Sequence, residues 1–359
     1  MKRMTVYLII AGVTGLSLSG CGFSREREQA SSLKIGISVY DQYDTFVSEE
    51  ISRLKSYAQE MEQEWDMTIT LEVVDASQNQ LTQNDQMDDF IKRGFDIACI
   101  NLVDRTDAST IIEKARSADV PVIFFNRELV EEDLERWDKL YYVGADAFES
   151  GILQGEILAD ACEEDFSSID KNGDGILQYV MLEGEAGHQD SIVRTLYVID
   201  TIKERGYRVE KLGDEIANWN RAQAEAKMNQ FWKSFGEQIE VVLTNNDDMA
   251  LGAVDALKKS CGTRAEARTA GTPWPVIIGI DGTEVGLEAV QSKELLGTVL
   301  NDSKGQAEGM LELAHSVVFG TELPEEIELL DNRYIRLPYQ KVTYENVNQI
   351  IWDMQMVTK

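Results

Sequence analysis

The sequence predicts an α/β protein in which parallel β-sheets are covered by helices on both faces. Short runs rich in β-branched and aromatic residues alternate with segments of helical periodicity along the chain. This alternation favours parallel sheets, because the crossover between two parallel strands is usually a helix. At 359 residues the chain exceeds one ordinary core, which indicates two domains of about 150 residues each.

Eight strands are predicted from short apolar runs, and the segments between them carry helical periodicity. The run at 97–102 is apolar without alternation, which is typical of a strand covered on both faces. The predicted strands are 34–40, 68–74, 97–102, 122–125, 179–182, 241–244, 276–280 and 298–300. The helices predicted between them include 46–64, 107–118, 191–205, 249–259 and 305–318.

The N-terminus has the pattern of a bacterial lipoprotein signal. Lys2 and Arg3 precede an apolar run, 4–18, that is too short for a permanent transmembrane helix. Small residues lead directly into Cys21, as in a lipobox, where the cysteine is lipidated after cleavage. A plain secretory signal with a coincidental cysteine is the alternative. We therefore predict a signal peptide at 1–20, a lipidated Cys21 with a flexible tether over 21–32, and an extracytoplasmic protein anchored to the cell membrane.

Composition narrows the possible partners. The net charge of −30 argues against nucleic acid, because phosphate binding requires clustered lysine and arginine, but it is compatible with a neutral ligand. Cys99, Cys162 and Cys261 have neither the number nor the spacing of a disulfide framework or a zinc site. After the signal, no apolar segment is long enough to cross a membrane.

Polar residues follow the ends of successive predicted strands. In parallel sheets, ligands bind beyond the carboxyl ends of the strands. Carboxylate, amide and guanidinium groups can bridge neighbouring hydroxyls of a sugar, although each such residue alone could be a helix cap or turn residue. Several in succession favour a hydroxyl-rich ligand such as a hexose. They are Asp44, Asn101, His188, Asp190, Asn246, Asp281 and Asn301.

Two aromatic residues and one arginine complete the candidate site. Phe46 follows Asp44 closely, and Trp219 precedes a predicted helix, so the two rings could sandwich a sugar or belong to the core. Asp190 and Arg194 are four residues apart on one helix face, where a solvated ion pair is the alternative. We find no nucleophile or zinc motif, although a glycosidase-like carboxylate pair stays open.

Residues 170–178 resemble a calcium-binding loop. Asp170, Asn172, Asp174 and Gln178 place oxygen atoms at loop positions 1, 3, 5 and 9, and Ile176 offers its carbonyl at position 7. Gly175 stands where such loops turn sharply, whereas Met181 replaces the usual glutamate at position 12. A metal-free turn is the alternative.

Nine segments, in order, resemble bacterial galactose/glucose-binding proteins of sugar ABC importers. The resemblance runs from about Lys34 to about Pro338. It rests on the stretches "IGISVYDQYDTF", "SQNQLTQNDQMD", "INLVD", "VPVIFFNRE", "YYVGAD", "DKNGDGILQYVMLEGEAGH", "NNDDMALGAVDAL", "IGIDG" and "GTVLND". It implies a class I periplasmic-binding fold, with two Rossmann-like lobes joined by a three-segment hinge. We expect the N-terminal lobe at 33–121 plus 302–335, and the C-terminal lobe at 122–301 plus 336–359.

The resemblance also implies roles for individual residues. Asp44, Phe46 and Asn101 would face the sugar from the first lobe, with Asp44 accepting the 4-hydroxyl and Phe46 stacking opposite Trp219. The second lobe and hinge would contribute His188, Asp190, Arg194, Trp219, Asn246, Asp281 and Asn301. A structural Ca²⁺ ion would be bound by Asp170, Asn172, Asp174, the carbonyl of Ile176, Gln178 and Glu240.

The function implied is capture of D-glucose or D-galactose for the permease of an ABC importer. The expected mechanism is lobe closure around the sugar, in a monomer without enzymatic activity. A sugar sensor for a membrane chemoreceptor or histidine kinase is the alternative. The connection 261–275 looks longer than the link usual in this family, and its composition predicts an exposed loop.

Overall fold

The computed structural model describes residues 32–272 and 274–355. Its first sheet contains five consecutive strands and one late strand. They are β1 (Ser32–Val39), β2 (Thr68–Asp75), β3 (Ile97–Ile100), β4 (Val122–Phe125), β5 (Leu140–Ala145) and β11 (Tyr334–Leu337). All neighbours are parallel, in the order β11-β5-β4-β3-β1-β2.

The second sheet repeats this plan with one reversed strand. Its members are β6 (Leu177–Glu183), β7 (Val209–Ile216), β8 (Val241–Thr244), β9 (Val276–Ile278), β10 (Gly297–Leu300) and β12 (Gln340–Thr343). The order is β12-β10-β9-β8-β6-β7, and β12 runs antiparallel to β10. The fold class predicted from the sequence, two α/β lobes with mainly parallel sheets, is therefore confirmed.

Helices cover both faces of each sheet. The first lobe carries α1 (Thr45–Glu64), α2 (Gln80–Arg93), α3 (Ser109–Ala118), α4 (Glu131–Leu134) and α11 (Ser303–Phe319). The second lobe carries α5 (Ala147–Asp165), α6 (Gln189–Glu204), α7 (Arg221–Phe235), α8 (Asp247–Cys261), α9 (Arg264–Ala270), α10 (Glu284–Gln291) and α12 (Val347–Gln355). Each sheet thus has an apolar core on either face.

The chain passes between the lobes three times, after β5, after β10 and between β11 and β12. The expected boundary at 121/122 for the first passage is wrong, and the third passage follows Leu337, two residues beyond the expected boundary at 335/336. β4 pairs with β3 and β5 pairs with β4, so both strands belong to the first sheet. The chain leaves this lobe only after Ala145, where α5 begins and packs against α6.

Four strands were not predicted, and most of them lie at sheet edges. β7 has a charged sequence whose side chains are largely exposed, so it lacks the apolar run of a central strand. β11 and β12 have only four residues each, with polar side chains interspersed. β5 is buried and apolar, and its short run stands directly before α5.

The connection 261–275 is exposed over much of its length, as its composition predicts, but it is not an irregular loop. It contains α9, which begins with a reciprocal cap between Thr263 and Glu266. Ala267 and Trp274 are buried against the second lobe. The expectation of a loop was wrong because the alanine and arginine residues of this segment form a short helix.

Three expectations concern the ends of the chain. The signal peptide and Cys21 lie outside the described residues, as does the tether apart from its last residue, which begins β1. Within the described part of the chain, no helix has both the length and the apolar character needed to traverse a bilayer.

Candidate functional site

The loops at the carboxyl ends of the strands meet in a cleft between the lobes. Eight of the ten residues predicted for the site line one cavity there, together with three others. The predicted ones are Asp44, Phe46, His188, Asp190, Arg194, Trp219, Asn246 and Asp281, and the additional ones are Tyr40, Asn126 and Arg127.

Asp44 is held at the start of α1 by two hydrogen bonds. Its Oδ1 accepts the backbone N–H of Val47 at 2.9 Å, which caps the helix. Its Oδ2 accepts the Tyr40 hydroxyl at 2.5 Å. The capping and ligand-binding interpretations are therefore compatible, because a fixed carboxylate at the cavity wall retains lone pairs for another donor.

His188 and Asp190 occupy the start of α6. The Nδ1 atom of His188 accepts the backbone N–H of Asp190 at 3.1 Å and caps the helix. Burial lowers the pKa of His188 to about 4, so the ring is neutral at physiological pH. With Nδ1 acting as an acceptor, the ring proton is on Nε2, which leaves one N–H donor for a ligand.

Arg194 is the centre of a buried polar network. Its Nη2 donates to Asp190 Oδ2 at 3.3 Å and to the Tyr339 hydroxyl at 3.1 Å. Its Nη1 donates to the carbonyl of Asn245 at 2.8 Å and lies 3.5 Å from Asp281 Oδ1. The Nε–H is buried without a protein acceptor among the described residues. A buried donor of this kind requires an acceptor, which a ligand hydroxyl can provide.

Asp281 is held in an unusual backbone conformation. Its φ angle of 121° lies in a region that residues with a side chain rarely adopt. Burial raises the pKa of Asp281 well above its ordinary value, and the charge of Arg194 opposes that shift. Such strain is maintained where the surrounding structure fixes a functional geometry.

The two aromatic rings come from different lobes. Phe46, in the first turn of α1, is only 6% exposed. Trp219 has a φ angle of 60°, and its carbonyl accepts the side chain of Asn246 at 3.3 Å. A Cβ atom at Gly184 would lie 2.2 Å from the indole ring, so glycine is required beneath it.

Two predicted residues, Asn101 and Asn301, are not among the lining residues. The Oδ1 atom of Asn101 accepts the backbone N–H of Tyr40 at 3.3 Å, and its Nδ2 donates to the carbonyl of Phe125 at 3.2 Å. Asn301 accepts the side chain of Gln306 at 2.6 Å. Asn101 thus supports the lining residue Tyr40, whereas Asn301 adjoins the lining through its backbone N–H, which donates to the carbonyl of Asp281 at 2.9 Å.

Arg127 is the principal residue that the sequence analysis missed. Its guanidinium lies 3.5 Å from the ring centroid of Tyr40 and donates to Glu185 of the other lobe at 3.0 Å. Asn126 and Arg127 directly follow β4, in the segment "FFNRE". Both are polar residues directly after the predicted strand 122–125, and this position could have identified them as candidate site residues.

The backbone of the predicted calcium loop is held against Glu240, which is 1% exposed. Glu240 accepts the backbone N–H groups of Lys171 at 2.6 Å and Gln178 at 3.1 Å. Asp170 accepts the N–H groups of Gly173 and Gly175, both at 2.8 Å. Gly175 has a φ angle of 74°, as a sharp turn requires.

The remaining side chains of this loop also converge. Asn172 Nδ2 lies 3.0 Å from Gln178 Oε1, and Gln178 Nε2 lies 3.0 Å from Asp174 Oδ2. No group of three or more Cys, His, Asp or Glu side chains in 32–272 and 274–355 has a metal-binding arrangement. A cation at this loop would therefore depend on amide and carbonyl oxygens as well, which suits Ca²⁺ and not zinc.

Comparison with known proteins assigns the fold to a family. Residues 35–322 match the family model described as periplasmic binding protein domain. The chain is 33% identical over 355 residues to the D-galactose/methyl-galactoside binding periplasmic protein MglB of Haemophilus influenzae, covering 98% of this chain and 100% of that protein. It is 30% identical over 315 residues to a xylitol-binding protein of Mycolicibacterium smegmatis, covering 87% and 80% respectively.

A solved structure agrees with this assignment. An ABC transporter solute binding protein from Bacillus halodurans with bound myo-inositol superposes with a TM-score of 0.72 and 26% identity, covering 90% of this chain and 98% of that one. The resemblance inferred from nine sequence segments is thereby confirmed. The chain belongs to the periplasmic binding protein family, whose members capture solutes and do not catalyse reactions.

Proposed function

We propose that the protein captures D-galactose or D-glucose outside the cytoplasm and delivers it to an ABC importer. The observation that carries this proposal is a cavity whose rings and carboxylates come from both lobes, with the buried Arg194 in its lining. The relative from H. influenzae, named for galactose and methyl-galactoside, supports a hexose.

The geometry gives each group a role in binding a neutral sugar. Asp44 and Asp281 accept hydroxyl protons, while Arg194 and the Nε2–H of His188 donate to hydroxyl oxygens. Phe46 and Trp219 pack against the C–H faces of the ring. Because these groups are divided between the lobes, sugar stabilises the closed arrangement through its higher affinity for that state.

We also propose a structural Ca²⁺ ion at the loop 170–178. The observations that support it are the carboxylates of Asp170 and Glu240, which accept backbone N–H groups of this loop, the contacts of Gln178 with Asn172 and Asp174, and the turn at Gly175. Such an ion would offset the negative charge of the carboxylates and tie the loop to the sheet through Glu240. The lipid anchor at Cys21 is likewise proposed, from the sequence "LSGC".

Calorimetric titration of the mature chain, carrying Cys21→Ser, with a sugar panel tests the ligand. We expect D-galactose or D-glucose to bind more tightly than xylitol, ribose or myo-inositol. Trp219→Ala should abolish binding, whereas Trp352→Ala, at a tryptophan that is 56% exposed on α12, is the matched control. Binding of a pentitol or inositol without binding of either hexose would contradict the proposal.

Thermal melting with and without a chelator tests the metal. We expect chelation to lower the melting temperature of the wild type by about 5 °C. Asp174→Ala should lower it similarly and remove the response to chelator, while Asp200→Ala, at an exposed position of α6, should leave both unchanged. A wild-type melting temperature that is insensitive to chelator would show that the loop is a turn without a metal.

A further inference from the structure

One face of α1 contacts the second lobe at three successive helical turns. The residues are Thr45, Glu49 and Arg53, spaced four apart, so they form a continuous stripe along the helix. We call them the closure stripe. Asp44 and Phe46, which line the sugar cavity, are on the same helix or directly before it.

Each residue of the closure stripe makes a hydrogen bond to a terminal turn of a helix in the second lobe. The Thr45 hydroxyl donates to Asp248 Oδ2, in the first turn of α8, at 2.7 Å. Glu49 Oε1 accepts the backbone N–H of Glu284, the first residue of α10, at 3.1 Å. Arg53 Nη1 donates to the carbonyl of Met354, in the last described turn of α12, at 3.3 Å.

The chemistry of these contacts suits their positions. The first N–H groups of a helix have no partner within the helix, and a carboxylate there also interacts favourably with the helix dipole. Glu49 supplies such a carboxylate to α10. Arg53 follows it by four residues, so the two opposite charges support each other along α1.

The contacts lie outside the sugar cavity. None of Thr45, Glu49 and Arg53 is among its lining residues, and their partners Asp248, Glu284 and Met354 are not lining residues either. On the other side, Arg127 joins Glu185 across the cleft beside the cavity. The closure stripe is therefore an interlobe surface that exists independently of the groups that bind the ligand.

We propose that the closure stripe favours the closed arrangement even without sugar and positions Asp44 and Phe46 against the second lobe. This inference rests on the proposed function only for its effect on sugar affinity. Each contact that forms on closure increases the closed population, and the apparent affinity for sugar increases with that population.

The test uses the triple variant Thr45→Val, Glu49→Ala and Arg53→Ala. Spin labels at Lys92→Cys on α2 and Lys233→Cys on α7, both exposed positions, report the distance between the lobes. The background is Cys21→Ser and Cys261→Ser, because the other two cysteines, Cys99 and Cys162, are buried. We expect the sugar-free wild type to show a closed population that the triple variant loses. Lys55→Ala, at an exposed site on α1, should keep it. Identical distance distributions in wild type and triple variant would overturn the proposal.

Sugar affinity gives a second measurement. We expect the Kd for the bound hexose to rise about 10- to 100-fold in the triple variant, from three hydrogen bonds of ordinary strength. Thr45→Val and Asp248→Ala should be non-additive in a double-mutant cycle, whereas additive effects would refute their contact. If no hexose binds, the proposed ligand fails, but the sugar-free distance measurement still decides the role of the closure stripe.

Discussion

Buried carboxyl groups near the cleft of the second lobe differ from Glu50 in the core of the first lobe. In the second lobe, Asp281 lies beside Arg194, and Asp247 accepts hydrogen bonds from Thr283 and Thr298. In the first lobe, Glu50 on α1 is fully buried, and neither of its oxygens has a hydrogen-bond partner among the described residues. The second lobe is thus a preorganised polar half-site, whereas the first lobe contains a buried acid without compensation.

The largest effect should come from breaking the network of the second lobe. Arg194→Met leaves the buried Asp281 and the partly buried Asp190 without their cation, so we expect a loss of about 3–5 kcal/mol in the free energy of unfolding together with loss of sugar binding. Chemical denaturation measures the first quantity and calorimetry the second. Arg205→Met, which removes an exposed ion pair with Glu163, should cost at most about 1 kcal/mol. Equal losses in the free energy of unfolding for the two variants would show that the Arg194 network stabilises the second lobe no more than an exposed ion pair does.

Asp44 allows binding and helix capping to be separated in the first lobe. Asp44→Asn keeps a good helix cap but removes the charge, and Asp44→Ala removes both. We expect each to weaken hexose binding by about 1.5–3 kcal/mol, while only the alanine variant also loses about 1 kcal/mol of stability. Wild-type affinity in Asp44→Asn would show that the sugar does not depend on this carboxylate.

Glu50 predicts an unusual dependence of stability on pH. Burial, and then the charge of Asp44, raise the pKa of Glu50 well above its ordinary value. The free energy of unfolding is therefore highest below the pKa of Glu50 in the unfolded chain, about 4.3, where the carboxyl is neutral in both states. It falls as pH rises toward the pKa of Glu50 in the folded protein, by at most about 1.4 kcal/mol per pH unit.

Replacing Glu50 with glutamine should reduce this slope in denaturation curves measured between pH 5 and pH 8 and leave the part that comes from Asp281, whose pKa burial also raises. Glu64→Gln, at an exposed position on the same helix, should retain the wild-type slope. A slope in Glu50→Gln equal to that of the wild type would show that Glu50 is not the titrating group.

The sequence predicted the site better than the boundaries between lobes. Residues such as Asp44, His188 and Asn246 were found because helix N-caps after parallel strands are local features of the sequence. Arg127 was missed because β4 was assigned to the wrong lobe, and strand order depends on pairing between distant segments. The local sequence does not distinguish Asn101, which supports the backbone of Tyr40, from a residue that lines the cavity.

The edge strands were not predicted for the same reason, because they too depend on pairing with distant segments. β7 and β11 are recognised in the structure by their pairing with β6 and β5, not by an apolar pattern of their own. The buried position of Glu50 was not predicted, although helical periodicity places it on the same face of α1 as Val47, Ile51 and Leu54.

The late strand β11 has a consequence for biosynthesis. It covers the edge of β5, yet nearly 190 residues, including the whole second sheet up to β10, are made between the two. A chain truncated after β10 would expose the backbone groups of β5 to pairing with other chains. Newly made or prematurely terminated molecules are therefore most vulnerable to aggregation at that edge until the final segment arrives.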